Sequence, residues 1–231
     1  MFWLGGLPPL NVGQRVLSLG WTGDLVATLG IAWVLNLFNF MDGIDGIAAS
    51  EAIFVVLAAS SLSALGTDAT GVFAASLVFA AACGGFLLWN WPPAKIFMGD
   101  VGSGYLGYVL AILALAAARE NASSLWCWLI LGGVFLVDAT VTLSRRLVRG
   151  ERVYEAHRSH AYQWLSRRWG SHRLVTIAVV LVNVAWLMPC ALLCAAQPNR
   201  APFIASAALI PLVIAALAAG AGKPESKPGS I

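Results

Sequence analysis

Seven long apolar runs constrain the fold of this chain more than any other feature of its sequence. They cover residues 23–41, 47–65, 71–91, 103–118, 124–143, 174–196 and 201–219. A helix needs about 20 apolar residues to cross the hydrocarbon core of a bilayer, and most of these runs are close to that length. The runs lack the alternation of barrel strands, so we predict an all-α, polytopic bundle of about seven membrane helices.

The composition agrees with a membrane environment. Of the 231 residues, 59% are hydrophobic and 11% are charged, whereas about a quarter of a soluble domain is charged. We predict one membrane domain over residues 1–219, with cytoplasmic loops at 42–46, 92–102 and 144–173, and a disordered cytoplasmic tail at 220–231. The expected partner is therefore the lipid bilayer and not nucleic acid. The four cysteines lie in apolar runs without ligand spacing, and we assign them no chemistry.

The basic residues predict the direction in which the helices run. Eight of the fourteen Lys and Arg residues lie in the segment Arg145–Arg173. Loops rich in Lys and Arg stay in the cytoplasm, so this segment is predicted to be cytoplasmic. Counting helices from it places eleven basic residues inside and three outside. Three polar segments, residues 36–46, 90–103 and 156–163, then meet at the cytoplasmic face.

The first polar segment has Asn36, Asn39, Asp42 and Asp45 at every third position. Neighbours in this series meet on a helix, and Asn side chains at the end of a membrane helix are costly unless paired. A polar helix end followed by an Asp-Gly turn explains the pattern without any function. The functional alternative is a carboxylate pair at the membrane surface, where the glycines of the turn let a ligand approach the backbone.

The second polar segment joins two apolar runs. Pro92-Pro93 ends one helix, and Gly99-Asp100-Val101-Gly102-Ser103 leads into the next. A glycine-flanked aspartate suits Mg²⁺, which proteins typically hold through one or two carboxylates together with substrate phosphates. A helix cap is the alternative, because Asp and Ser are both favoured at that position.

The third polar segment contains His157 and His160, with Arg158 between them, in a strongly basic loop. Arginine and histidine can hold a pyrophosphate through charge-assisted hydrogen bonds. A solvated loop beside anionic lipid would explain the charge but not the two histidines. His172, at the start of the next apolar run, has no partner pattern.

Two acidic residues, Glu51 and Asp138, lie inside apolar runs and are functional candidates for that reason. Both are near the predicted cytoplasmic end, so they can also be interpreted as facing the basic loop. A transporter or ion carrier built around them is a second hypothesis, although no internal repeat is visible and the polar residues gather at one face. A third hypothesis is a catalytically inactive fragment that packs against membrane partners.

Taken together, the three segments resemble those of the polyprenyl-phosphate N-acetylhexosamine-1-phosphate transferases, or glycosyltransferase family 4. The likeness spans roughly residues 20–165. It rests on Asn-Phe-Met-Asp-Gly-Ile-Asp-Gly at 39–46, Phe-Met-Gly-Asp-Val-Gly-Ser at 97–103 and His-Arg-Ser-His at 157–160. The continuation Ala-Tyr-Gln makes the last motif more similar to the branch that initiates lipopolysaccharide and O-antigen than to the peptidoglycan branch.

The resemblance implies transfer of an N-acetylhexosamine-1-phosphate from a UDP-sugar to a membrane polyprenyl phosphate of the undecaprenyl type. UMP would be released, and the lipid-linked sugar would start a cell-envelope glycan. The implied location is the bacterial inner membrane with the active face in the cytoplasm, and a homo-oligomer is compatible with this reading. The implied metal is Mg²⁺, with Mn²⁺ as the alternative.

Site residues follow from the resemblance as well. The carboxylates Asp42 and Asp45 would serve the reaction, and Asp100 would bind the metal. The third motif would lie near the diphosphate through His157, Arg158 and His160. The nucleotide would be bound by Asn39, Gly43, Ile44, Asn90 and Phe97, of which the phenylalanine would stack on the uracil.

In one respect the sequence departs from that family. The family carries an adjacent pair of aspartates in an earlier cytoplasmic loop, and this sequence has no adjacent aspartates. We therefore expect about the first third of the family domain to be missing. We also expect the 231 residues alone to make no detectable polyprenyl-diphospho-sugar, and activity to return when an upstream segment with the aspartate pair is supplied.

Overall fold

The computed structural model describes residues 6–12, 15–64, 70–121, 124–152, 155 and 157–224. Its α-helices are α1 Gly20–Met41, α2 Ile47–Ala64, α3 Thr70–Asn90, α4 Gly99–Glu120, α5 Ser124–Leu131, α6 Gly133–Val148, α7 Ala161–Trp169, α8 His172–Val182, α9 Met188–Ala196 and α10 Ala201–Ala219. Shorter elements are a π-helical turn Asn183–Leu187, a 3-10 turn Pro198–Arg200, and the antiparallel strands β1 Leu10–Val12 and β2 Arg15–Leu17. The predicted all-α bundle is confirmed, and its helices follow all seven apolar runs.

Several of these helices are long and apolar enough to cross a membrane. In the described part of the chain they are Gly20–Met41, Gly71–Asn90, Gly99–Glu120, His172–Ala196 and Pro198–Ala219. The pair α5 and α6 qualifies only when it is taken together, and α2 is a shorter apolar helix of 18 residues. Length and composition therefore support five spans, or six with the bent pair, where the sequence predicted about seven. The chain is an integral membrane protein with several apolar spans.

The single helix predicted over residues 124–143 is wrong, because α5 and α6 meet at an angle of 71°. The bend lies at the adjacent glycines Gly132 and Gly133. Glycine is a weak helix former, and glycine-containing pairs are common sites of kinks. Gly133 must also be small, since a Cβ atom there would lie 2.8 Å from Cδ2 of Leu209 in α10. The bend therefore lies where glycine gives the backbone freedom and where close packing against α10 leaves no room for a side chain.

Helices α1 and α4 pack with their backbones in close contact. A Cβ atom on Gly107 would overlap the carbonyl oxygen of Val34, and one on Gly104 would touch the side chain of Leu35. This approach holds the end of α1 against the start of α4. The first two polar segments are therefore brought together by helix packing.

Glu51 is fully buried in α2, where its partner is Asn183 at the start of the π-helical turn. The Asn183 side-chain amide donates a hydrogen bond to Oε2 of Glu51 over 2.5 Å. The interpretation that Glu51 faces the basic loop is therefore wrong. A buried polar group needs a partner, and the π-helical turn that follows α8 supplies one inside the bundle.

Parts of two predicted segments lie outside the described residues. They are residues 225–231 of the predicted tail, with Lys227, and residues 153, 154 and 156 of the predicted loop 144–173. The described part of that loop contains α7. Residues Gly220–Gly222 form a hydrogen-bonded turn against the bundle.

Candidate active site

A polar pocket of about 210 Å³ lies between the end of α1 and the start of α4. Its lining residues are Asn39, Asp42, Gly43, Ile44, Asp45, Asn90, Phe97, Met98, Gly99 and Asp100. Every site residue predicted from the first two motifs is in this set. The lining contains three aspartates and no Lys, Arg or His, so the pocket is acidic.

Two carboxylates, those of Asp42 and Asp100, give the pocket its chemistry. Burial, and to a smaller extent the nearby charge of Asp100, raises the pKa of Asp42 to about 7. Like charges in one pocket are costly, and a cation between them would relieve that cost. Among the described residues no cluster of three or more His, Cys, Asp or Glu side chains can hold a metal. Two carboxylates completed by phosphate oxygens and water are the donor set that Mg²⁺ prefers.

The start of α4 is held by Asn39 and Ser103. The Asn39 amide donates to Oγ of Ser103 over 3.2 Å and to the backbone oxygen of Asp100 over 3.5 Å. The Ser103 hydroxyl in turn donates to the backbone oxygens of Gly99 and Asp100. Asn39 thus positions the turn that carries Asp100. The sequence indicates only a helix-capping role for Ser103. Its hydrogen bond with Asn39 adds it to the site.

Asn90 is buried and ties the two pocket loops together. Its Oδ1 accepts a hydrogen bond from the backbone N–H of Gly46 over 2.9 Å, and its Nδ2 donates to the backbone oxygen of Ile96 over 2.8 Å. Gly46 has a φ of +75°, which favours glycine at this turn. The structure therefore gives Asn90 a positioning role, and its contact with a nucleotide stays a prediction.

Asp45 is held by three neighbours from distant segments. Its Oδ2 accepts a hydrogen bond from the backbone N–H of Ala94 over 3.0 Å, and its Oδ1 lies 3.2 Å from Nδ1 of His172. The hydroxyl of Thr176 donates to the backbone oxygen of Asp45 over 2.9 Å. The sequence showed no partner for His172, because Asp45 lies 127 positions away. With Asp45 engaged in this way, Asp42 and Asp100 are the carboxylates best placed to serve a ligand.

The rim and floor of the pocket differ in exposure. The Phe97 side chain is 80% exposed at the rim, where its ring face is open to a stacking partner. Ile44 is buried. Gly43 lies under α7, because a Cβ atom there would overlap the hydroxyl of Tyr162. That hydroxyl donates to the backbone oxygen of Phe40 over 3.0 Å, so α7 packs directly on the first motif.

The third motif does not line the pocket. His160 is 1% exposed, and its ring stacks between those of His157, Phe40 and Tyr162 at centroid distances of 4.9, 6.3 and 5.8 Å. Arg158 is exposed, and its backbone oxygen accepts a hydrogen bond from Arg167. The prediction of one composite site therefore does not hold for the histidines. They lie behind Tyr162, and Tyr162 contacts Gly43, which lines the pocket.

His157 is half-buried, with Nδ1 3.0 Å from Oγ of Ser159. Burial, followed by the neighbouring charges of His160 and Arg146, lowers the pKa of His157 to about 4. The ring is thus neutral at neutral pH. It can donate or accept a hydrogen bond but does not supply the positive charge that the sequence suggested.

Asp138 holds the first turn of α7. Its carboxylate accepts hydrogen bonds from the backbone N–H groups of Ala161 and Tyr162, over 2.8 and 3.0 Å, and from the Thr142 hydroxyl over 3.1 Å. Its Oδ1 also lies 3.4 Å from Nδ1 of His160. A carboxylate is favourable at a helix N-terminus, where backbone N–H groups lack partners. The interpretation that Asp138 faces the basic loop is confirmed.

Comparison with known proteins places the motifs of this site in a known family. A family model described as glycosyl transferase family 4 matches residues 3–118, which is half of the chain and includes the first two motifs. Residues 157–160, with the third motif, lie beyond the matched part.

Curated relatives match a longer part of the chain. A probable undecaprenyl-phosphate N-acetylglucosaminyl 1-phosphate transferase of Bacillus subtilis is 33% identical over 168 residues, 72% of this chain and 47% of that protein. Phospho-N-acetylmuramoyl-pentapeptide-transferases of Pelotomaculum thermopropionicum and Moorella thermoacetica are 34% and 36% identical, over 72% and 60% of this chain and 50% and 42% of theirs. The chain spans about half the length of the curated relatives it matches. On its sequence, and with its motifs gathered as described, the chain belongs to glycosyl transferase family 4.

Proposed function

We propose that this chain forms the catalytic face of a transferase that moves an N-acetylhexosamine-1-phosphate from a UDP-sugar to an undecaprenyl-type polyprenyl phosphate, releasing UMP. The observation that carries the proposal is the acidic pocket at the ends of the apolar helices α1 and α4, with Asp42, Asp100 and the exposed side chain of Phe97. The relatives support it, since they are described as a probable undecaprenyl-phosphate N-acetylglucosaminyl 1-phosphate transferase and as phospho-N-acetylmuramoyl-pentapeptide-transferases. The finer proposal is a role in starting lipopolysaccharide or O-antigen.

An apolar pocket in the same bundle supports the lipid part of the proposal. It has a volume of about 300 Å³, is formed mainly by α1, α4 and α5, and is lined by apolar side chains that include Leu37 and Phe38. Asn39, the next residue of α1, lines the polar pocket. A polyprenyl phosphate has an apolar chain and an anionic head, and helix α1 contributes residues to an apolar pocket and to a polar pocket that suit these two parts.

The proposed chemistry is an in-line displacement at phosphorus. An oxygen of the polyprenyl phosphate would attack the β-phosphorus of the UDP-sugar, and the bond to the UMP oxygen would break, so that UMP leaves with the electron pair. Both reactants are anions, and their reaction requires neutralisation and alignment. Asp42 and Asp100 would hold Mg²⁺, or alternatively Mn²⁺, whose chemistry here is to neutralise the diphosphate charge. Asn39 and Ser103 would keep the Asp100 turn in place.

A reconstitution assay tests the proposed function. This chain, over its whole length, would replace the matching segment of the Bacillus relative, and the chimera would be assayed in nanodiscs with undecaprenyl phosphate. We expect UMP and undecaprenyl-diphospho-N-acetylglucosamine from UDP-N-acetylglucosamine. The unmodified relative is the positive control, and UDP-N-acetylmuramoyl-pentapeptide is the competing donor. A folded chimera that is inert with every donor would contradict the proposal.

The orientation is also a proposal, with the polar pocket in the cytoplasm. Ser159, a natural choice for labelling, is only 3% exposed and is unsuitable. Arg168 in α7 and Arg200 in the 3-10 turn are both exposed and are predicted to lie on opposite sides. We expect a membrane-impermeant thiol reagent to label Arg200→Cys, but not Arg168→Cys, in intact spheroplasts, and to label both after permeabilisation. The reverse pattern would overturn the orientation.

A further inference from the structure

The chain does not leave the bundle where α10 ends. Gly220 has a φ of +106° and ends the helix, and the backbone N–H of Ala221 bonds back to the oxygen of Ala216 over 2.9 Å. This left-handed glycine ending is a common way to stop a helix. The segment Gly220–Gly222, here named the C-terminal turn, then runs under α7. Ala221 is fully buried in a small apolar cluster with Val137 of α6, Ala161 of α7 and Ala216 of α10.

The C-terminal turn makes two hydrogen bonds to the parts of the chain that carry the histidine motif. The backbone N–H of Gly222 donates to the backbone oxygen of Ser159 over 2.7 Å. Nη1 of Arg145, in α6, donates to the backbone oxygen of Ala221 over 2.6 Å. Ser159 is buried between the two motif histidines, and its hydroxyl is the partner of the His157 ring. A continuous set of contacts therefore leads from Gly222 through Ser159 to His157.

Only glycine suits position 222. Its φ is +69°, which side chains rarely adopt, and a Cβ atom there would lie 2.8 Å from Cβ of Arg145 and 3.1 Å from the backbone oxygen of Thr142. Both neighbours belong to α6, the helix whose Asp138 holds the first turn of α7. The C-terminal turn thus holds the motif at Ser159, and Asp138 holds the residues that directly follow it, Ala161 and Tyr162.

We propose that the C-terminal turn is a strap that positions the histidine motif, with Gly222 and Arg145 as its positioning residues. Gly222 holds the Ser159 carbonyl, and Ser159 in turn keeps His157 half-buried beside His160. The relevance of this to catalysis rests on the proposed function. The strap itself is defined by contacts in the structure, and histidine titration tests it independently of the transfer reaction.

Titration of the histidines in the intact chain tests the strap. The chain has three histidines, so each can be followed in the NMR spectrum of a histidine-labelled sample. Groups around His157 are His160, Arg146, Glu151 and Asp138, and burial is the largest influence on it. We expect Gly222→Ala to raise the pKa of His157 from about 4 towards the ordinary value of about 6.5, because the ring loses its buried place.

Gly170→Ala is the matched control, because Gly170 also has a positive φ, +62°, but nothing lies within 4 Å of an added Cβ. The two substitutions have a similar backbone cost. They differ in that only the added Cβ at position 222 meets neighbouring atoms, those of Arg145 and Thr142 in α6. We expect Gly170→Ala to leave the His157 titration unchanged. Arg145→Met, which removes the bond to Ala221 without adding bulk, should act in the same direction as Gly222→Ala and decides the matter if that variant does not fold.

In the chimera, the strap variants should lower kcat for transfer more than they change KM for the UDP-sugar. An unchanged His157 titration in folded Gly222→Ala and Arg145→Met would overturn the strap. So would a His157 that already titrates at its ordinary pKa in the unmodified chain. An inert wild-type chimera would instead overturn the proposed function, and the titration would still decide the strap.

Discussion

Asp100→Asn and Asp42→Asn should each lower the rate of UMP release from the chimera by a factor of about 10² to 10³. Each substitution removes a charge and hardly changes the volume. The third carboxylate of the pocket, Asp45, is engaged with Ala94 and His172 and is not placed to replace either one. The measurement is UMP release from the chimera as the concentration of Mg²⁺ is varied.

The matched control is Glu120→Gln, which removes a negative charge from the far end of α4, where the side chain is exposed. It should leave transfer unchanged, since a charge at that distance from the pocket is screened. Near-normal turnover by Asp100→Asn at every Mg²⁺ concentration would exclude Asp100 as a metal ligand.

The same pocket predicts a pH dependence. The pKa of Asp42 is raised to about 7, so below that pH the side chain is increasingly protonated and neutral. Only the ionised form binds a cation, and a protonated ligand must release its proton first. The affinity for Mg²⁺ should therefore fall about tenfold for each pH unit below 7 and level off above it. Asp42→Asn should flatten this profile, and a wild-type profile that is already flat between pH 5 and pH 8 would contradict the role of Asp42.

Asp138→Ala should produce the largest loss of stability. The substitution leaves the backbone N–H groups of Ala161 and Tyr162 buried without a partner and removes the acceptor for Thr142. Each unsatisfied buried group costs about 1 to 3 kcal/mol, so a total of about 3 kcal/mol is expected. The free energy of unfolding can be measured by titrating SDS into detergent micelles. Transfer should fall as well, because α7 would no longer hold Tyr162 against Gly43.

Two further variants show how much each hydrogen bond of Asp138 contributes to stability. Asp138→Asn keeps one acceptor oxygen and should lose less stability than Asp138→Ala. Thr142→Val removes only the hydroxyl and should have the smallest effect, about 1 kcal/mol. If Asp138→Ala changed neither the free energy of unfolding nor the environment of His160, the hydrogen bonds of Asp138 to the start of α7 would not stabilise the protein.

Much of the fold and the pocket follows from the sequence alone. Apolar runs of membrane length become helices because a bilayer core offers no water to satisfy backbone groups. The thickness of the bilayer also sets where helices end, so Asp42 and Asp100, each at a helix end, were predicted on the same face. The structure places both in one pocket, together with every other residue predicted from their motifs. The apolar pattern and the bilayer as solvent were sufficient for the helices and their ends, and the resemblance of the motifs to a known family supplied the other residues of the pocket.

Tertiary structure alone decided which polar groups pair and which remain open. His172 meets Asp45, Asn90 meets Gly46, and Gly222 meets Ser159, although each pair is far apart in the sequence. Such pairs depend on the register at which helices pack and on bends such as the one at Gly132, and neither leaves a periodic signal in the sequence. For the same reason the histidine motif, predicted at the pocket, lies behind Tyr162. The sequence by itself determined the helices and the face on which the chemistry gathers, while close packing determined which side chains are free to perform it.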